Sequence, residues 1–465
     1  MKRLLLFLLL STLASPALPA AEPIDLGSRW ELFVDDYLVA EKNGAALKLH
    51  DPVKREIVLA TDQPWEGKTC AYFSVIQDGG KVLMYYRGSS GGSDHSDAQV
   101  TCVAESADGI HFTRPKLGLI EAGGTKDNNV IWRGVESHNF SPFLDANPRA
   151  KPEQRFKALG GVKQPGKNWH QGETPGGLYA FASADGIQWE KMKDEPVITK
   201  GAFDSQNLAF WDVTRDRYAC FSRIFINKVR AVQSNSSTDF LAWTEPVPHE
   251  YAEGVPWEHF YTSATVPCPT APHLFLSFPK RFLPSRKKVP EHEGPGVSDA
   301  VFMSSRDGVH WDRPFLEAWV RPGPDRKNWT DRSNMTANGI VVTGEGEWSL
   351  YISEHYRHDD HRIRRLTVRR QGFASMHGGA EGGSFTTRPL VVSGPMLRLN
   401  YATSAAGSVR VEALDEDGRV AAELPELYGD EFDAPALDVS ALKGQAVRLR
   451  VTLRDADLYA FRFAE

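Results

Sequence analysis

The sequence predicts an all-β protein: a five-bladed β-propeller over residues 22–380, followed by a small C-terminal β-sandwich over residues 384–465. Three observations carry this. A seven-residue motif, Ser-x-Asp-Gly-x-x-aromatic, recurs as SADGIHF from Ser106, SADGIQW from Ser183 and SRDGVHW from Ser305, with a worn copy, STDFLAW, from Ser237. The segments between copies alternate apolar and polar residues, and helical periodicity is almost absent. After Gly383 the character changes to long alternating runs with Gly turns, the pattern of a sandwich.

Each copy of the motif follows a strand signal, as in YAFASADG and VFMSSRDG. Asp-Gly favours a tight hairpin because Gly takes positive φ at little cost. The motif therefore reads as the hairpin between the outer two strands of a four-stranded blade. Its Asp bonds the turn backbone and its ring packs between blades. Blade repeats run about 40–50 residues, and loop insertions lengthen them. On this reading Asp108, Asp185 and Asp307 are scaffold.

The elements follow in order. Lys2 and Arg3, the apolar run Leu4 to Leu10 and the small residues to Ala21 predict a signal peptide over residues 1–21, hence a secreted or periplasmic protein. The run is too short to span a bilayer. WELFVDDYLVA, from Trp30, is expected to close the ring by adding a strand to the last blade. The inner strands are TCAYFSVIQ and KVLMYYRG for blade 1, HNFSPFLD and RFKALGGV for blade 2, and SQNLAFWD and RYACFSRI for blade 3. Blade 4 has YTSATVPCP and PHLFLSFPKRF, and blade 5 has NMTANGIVV and EWSLYISEHY.

The net charge of -6 argues against a polyanion partner such as nucleic acid. The four cysteines show no CxxC spacing, so a zinc site is not expected. Cys70 and Cys102 could bridge neighbouring strands, or all four could be buried thiols. The 12 Trp are read mainly as packing residues. HYRHDDHR, from His355, is read as a solvated turn rather than a metal site. No cofactor is expected. A structural calcium in the channel would suit the fold, but no loop has EF-hand spacing.

In a propeller the start of the first strand and the end of the second converge at the central mouth. Those positions give Glu66 and Arg87; His138 and Asn139; Asp204, Gln206, Asn207 and Arg223; Glu258, His259, Tyr261, Lys280 and Arg281; and Arg332, Asn334 and Glu354. The hairpin motif, with LFVDDYLV, PWEG, FDSQN and FPKRF, resembles bacterial secreted proteins related to glycoside hydrolase family 32, and the hairpins also recur in families 43, 68 and 130. The resemblance covers nearly the whole mature chain. It implies a glycosidase with carboxylates at the mouths of early blades. The family 32 opening Trp-Met-Asn-Asp-Pro-Asn-Gly is absent, as are its Arg-Asp-Pro and Glu-Cys signatures. Asp204 is then the expected base or nucleophile, with Glu66 or Glu258 as the acid, since glycosidases set one protonated and one ionised carboxylate across the bond.

The basic rim residues Arg87, Arg223, Lys280, Arg281 and Arg332 suggest an anionic oligo- or polysaccharide, bearing uronate or sulfate, because the guanidinium fork matches such groups. A non-catalytic glycan-binding propeller and a glycoside phosphorylase are the alternatives.

Overall fold

The structure is a computed structural model and describes residues 22–90, 99–161 and 176–465. The predicted signal peptide lies outside the described residues. No described helix is long and apolar enough to cross a membrane.

Five sheets follow one another along the chain. Blade 1 is Ala71–Asp78, Lys81–Ser89, Gln99–Ser106 and Val130–Arg133. Blade 2 is Ser141–Leu144, Phe156–Gly160, Tyr179–Ser183 and Glu190–Lys191. Blade 3 is Leu208–Asp212, Arg217–Ile226, Val229–Ser237 and Val247–Pro248. Blade 4 is Thr265–Cys268, Ala271–Ser277, Met303–Ser305 and His310–Asp312, edged by Glu250–Tyr251. A three-stranded sheet of His259–Phe260, Lys280–Leu283 and Val297–Ala300 extends it. Blade 5 is Val341–Val342, Glu347–Glu354, Arg362–Arg369 and Val53–Ala60. Val75, Phe143, Phe210, Val266 and Ile340 line one cavity of about 220 Å³. Because these residues come from or adjoin the innermost strands of all five sheets, the sheets surround a single axis.

Aromatic seams join the blades. Tyr85, Phe156, Phe181 and Trp189 pack between blades 1 and 2, and each such burial contributes about 1.5–3 kcal/mol. The repeated motif builds these seams as the sequence suggests. Ser106 Oγ accepts from the Gly109 N–H, and Asp108 Oδ1 accepts from those of Ile110 and His111. The Gly carbonyl then faces the neighbouring blade: Tyr351 donates to Gly109 O at 2.6 Å and Tyr85 to Gly186 O at 3.0 Å. The chain needs only four copies because the fourth strand of blade 5 comes from the other end of the propeller.

Gly186 sits at φ 76°, and an added Cβ would lie 2.4 Å from the Tyr85 hydroxyl. We expect Gly186→Ala to cost about 1–3 kcal/mol through left-handed strain, with the lost latch adding to it. Denaturant unfolding should show this as a lowered midpoint, and an unchanged midpoint would contradict the latch.

Two expectations need correction. Val53–Ala60 closes the ring by pairing with Arg362–Arg369. The segment from Trp30 does not: its Glu31–Leu32 pairs with Phe461 and Ala460. The domain limits shift accordingly. Ile24–Asp25, Glu31–Leu32, Val39–Asn43 and Ala46–Leu49 join the C-terminal sheet. That sheet is built on two 19-residue strands, Met396–Leu414 and Ala446–Ala464. The segment carries Phe33 and Leu38 into the sandwich core, while Trp30, Leu32 and Val34 pack with blades 4 and 5. Its alternating side chains thus serve two cores at once. All four cysteines are buried free thiols.

Candidate functional site

At the end of the axis where the inner strands begin, polar side chains from several blades converge. At the start of blade 1, Tyr72 has φ 58°, a left-handed conformation unusual for an aromatic residue. Such strain costs about 1–3 kcal/mol and persists only where the surroundings enforce it. Here Gln206, from the entry to blade 3, donates to Phe73 O at 2.9 Å and to Ser74 Oγ at 3.1 Å. The Tyr72 ring packs with Ala71, Tyr261, Phe282, Met335 and Tyr356. Neither the Tyr72 nor the Tyr261 phenol has a hydrogen-bond partner among the described residues, although both residues are at most 4% exposed.

His138 ends a short helical turn, Val135–His138, before blade 2. Its Nε2 lies 2.9 Å from Asp204 Oδ1, and its Nδ1 lies 3.0 Å from Gln99 Oε1 and 3.4 Å from Arg87 Nη1. The Asp204 side chain keeps 29% exposure. Burial alone would raise its pKa, but the His138 contact and the charges of Arg223 and Arg332 hold it well below the usual carboxylate range. Asp204 is therefore ionised and open to solvent.

Basic groups crowd the other side. The Tyr261 ring centroid lies 4.0 Å from Lys280 Nζ, 5.1 Å from Arg223 Cζ, and 5.4 Å from both Arg230 Cζ and Arg332 Cζ. Arg332 donates to the Tyr356 hydroxyl at 3.0 Å, and Arg87 does so at 3.4 Å. Burial and then the repulsion of neighbouring guanidiniums push the pKa values of Lys280 and Arg230 down. Arg230 Nε is buried without a hydrogen-bond partner. The nearest carboxylate contact of Arg223 is Asp204, at 3.8 Å.

The structure thus brings Arg87, His138, Asp204, Arg223, Tyr261, Lys280 and Arg332 together, with His259 at the edge, where its Nδ1 accepts from the Arg230 N–H at 3.2 Å. It sends others elsewhere. Glu66 is fully buried in the seam between blades 5 and 1, bound to Tyr86 at 2.5 Å and Arg114 at 2.7 Å, so it presents nothing to the mouth. Glu258 and Arg281 pair with each other at 3.1 Å, and with Arg313 and Asp299 respectively, because Arg281 points to the opposite face of its strand from Lys280. Glu354 is held by Arg362 and Arg364 at the edge of blade 5. Asn139, Asn207 and Asn334 clamp backbone carbonyls, those of Phe203, Ser205 and Ser298 among them.

Sequence reasoning missed Tyr72, Arg230 and Tyr356. Tyr72 satisfies the strand-start rule but is aromatic, and Arg230 lies on a third strand. The described residues contain no cluster of three or more His, Cys, Asp or Glu arranged to hold a metal.

These features define an all-β propeller–sandwich protein with a cationic, phenol-lined mouth. Solved structures similar to the chain include one described as a glycoside hydrolase, at 14% identity and TM-score 0.47, covering 69% of this chain and 92% of that one. A glycoside hydrolase family 43 arabinoxylan arabinofuranohydrolase from Bacillus subtilis matches at 12% identity and TM-score 0.40, covering 86% and 96%. A family 32 β-fructofuranosidase from Bombyx mori matches at 10% and 0.43, covering 90% and 94%. No family model and no curated protein matches the chain. At these TM-scores no residue role or activity transfers.

Proposed function

We propose that this protein is exported and acts on an anionic glycan, taking a uronate or sulfate group at the propeller mouth. The observation that carries the reading is the arrangement of Arg223, Arg230 and Lys280 around Tyr261, where the nearby carboxylates among the described residues are Asp204 beside Arg223 and Asp331 beside Lys280. Guanidiniums that repel one another are stabilised when an anion enters, and an arginine fork suits a carboxylate or sulfate. Glu66 and Glu258 are engaged in other networks, so neither stands as an acid opposite Asp204. That same observation favours, as a second reading, a propeller that binds glycan without cleaving it.

Calorimetric titration with uronate oligosaccharides tests the binding claim. We expect Arg230→Met to weaken binding by about 1.5–3 kcal/mol, the worth of hydrogen bonds to charged groups. Binding that is indifferent to this change would remove the proposed subsite. Release of product by the wild type, on any substrate it binds, separates the enzyme from the pure binder.

A further inference from the structure

Blade 3 puts an apolar ring where the cationic cluster meets solvent. Its second and third strands, Arg217–Ile226 and Val229–Ser237, are joined by Asn227 and Lys228 alone. Both have positive φ, 49° and 67°, as a tight two-residue hairpin of this kind requires. That turn fixes the register, and Phe225 pairs directly with Arg230 across it. Side chains two apart on a strand share a face, and directly opposed partners do so too. Arg223, Phe225 and Arg230 therefore project from one face of the hairpin. The Phe225 ring centroid lies 5.4 Å from Arg223 Cζ and 5.5 Å from Arg230 Cζ. The same guanidiniums lie 5.1 and 5.4 Å from the Tyr261 ring centroid. Each guanidinium thus touches a buried ring and an exposed one, since Tyr261 is 4% exposed and Phe225 43%. A lone exposed phenyl group needs no explanation; this one is fixed against the two arginines of the anion site.

Resting on the anionic-glycan reading, we propose that Arg223, Arg230 and Phe225 form a single subsite for one uronate residue, with its carboxylate on the guanidiniums and the C–H face of its pyranose ring on Phe225. The chemistry of a uronate matches this arrangement. Its carboxylate carbon is bonded directly to a ring carbon, so a sugar held by the arginines brings its own ring to the phenyl group beside them. A sulfate ester has an oxygen between the sulfur and the sugar, which sets the ring farther away. The C–H bonds of a pyranose make a weakly polar face, and laying that face on Phe225 removes apolar area from water. Polarised C–H groups also suit the negative face of an aromatic ring. The arginine forks recognise the charge, and by themselves they accept any carboxylate or sulfate. Phe225 adds the requirement that the charge be carried on a sugar ring. It is the residue that sets specificity, and it acts by direct contact with the ligand.

The experiment titrates the full chain with oligomers of galacturonate, mannuronate and hyaluronan. Two further ligands separate charge from ring: oligoglutamate, which carries carboxylates without sugars, and a sulfated neutral oligosaccharide. We expect the wild type to bind at least one uronate oligomer more tightly than either of these. Phe225→Ala should weaken that uronate by about tenfold, in keeping with the loss of a partly exposed phenyl surface that the ligand would cover, and so narrow the gap to oligoglutamate. Phe225→Trp should restore it, and Arg230→Met should weaken every charged ligand. Denaturant melts of the variants confirm that each is folded. Wild-type affinity for the uronate in Phe225→Ala, together with a loss in Arg230→Met, would overturn the subsite while leaving the anionic-glycan reading intact. An equal loss for uronate and oligoglutamate in Phe225→Ala would show that the ring only steadies the arginines, which overturns the subsite in the same way. A sulfated oligosaccharide bound as tightly as the best uronate overturns the choice of uronate. Failure of the wild type to bind any of the charged glycans removes both proposals.

Discussion

Asp204→Asn is expected to lower turnover by about 10²–10⁴-fold, the range usual for removing a group that manages proton positions, while uronate binds as tightly as before or more tightly. The split follows from the geometry. The carboxylate anchors His138 at 2.9 Å and lies 3.8 Å from Arg223. Asn keeps the volume but loses the charge, so His138 loses its ionic anchor and the cationic side of the mouth loses its counter-charge. An incoming anion meets less repulsion as a result. Binding calorimetry and rate measurements on one variant give both numbers. A variant that loses affinity but keeps its rate would show Asp204 to be a substrate contact rather than part of the proton machinery.

Arg306→Ala is expected to cost about 3–5 kcal/mol, the penalty for stripping a buried ion pair of one partner. Arg306 occupies the x position of the third hairpin motif, where the first two copies have Ala107 and Ala184. It reaches out of blade 4 to Glu31 at 3.0 Å and Asp35 at 2.9 Å on the N-terminal segment, and stacks over Tyr37 at 4.0 Å. One guanidinium therefore ties the sandwich to the propeller. Burial would raise the Glu31 pKa, but His273, Arg306 and Arg29 bring it down to about 2. A carboxyl with a depressed folded-state pKa stabilises the protein above its unfolded value, near 4.3. That contribution is lost as pH falls from there through about 2. The wild type should therefore lose stability across that window, and Arg306→Ala should lose less across it. Denaturant melts at several pH values check this. Equal pH slopes for the two proteins would show that the junction is not electrostatic.

The scaffold was legible where chemistry is local. Ser-x-Asp-Gly-x-x-aromatic builds its own turn, since Ser106 and Asp108 satisfy the backbone N–H groups that follow them, so four hairpins could be read directly. The worn copy has Phe240 at φ 69°, where the others have Gly, and its ring joins the blade 3 core. Ring closure was not legible. Val53–Ala60 carries Lys54, Arg55 and Glu56 and looks like surface, while the segment from Trp30 looks like a strand; which edge each one joins is decided by distant residues. The site was half legible. Strand ends located Asp204, His138, Arg223 and Lys280. Adjacent side chains alternate faces along a strand, however, so Lys280 enters the mouth while Arg281 leaves it.

The most direct test compares one polyuronate with its carboxyl-reduced form, which has the same sugars and linkages but no charge. The account predicts that the wild type binds the charged polymer at least about tenfold more tightly, roughly 1.4 kcal/mol, and that added salt erodes the difference. Equal affinity for the two forms at low salt would contradict the account.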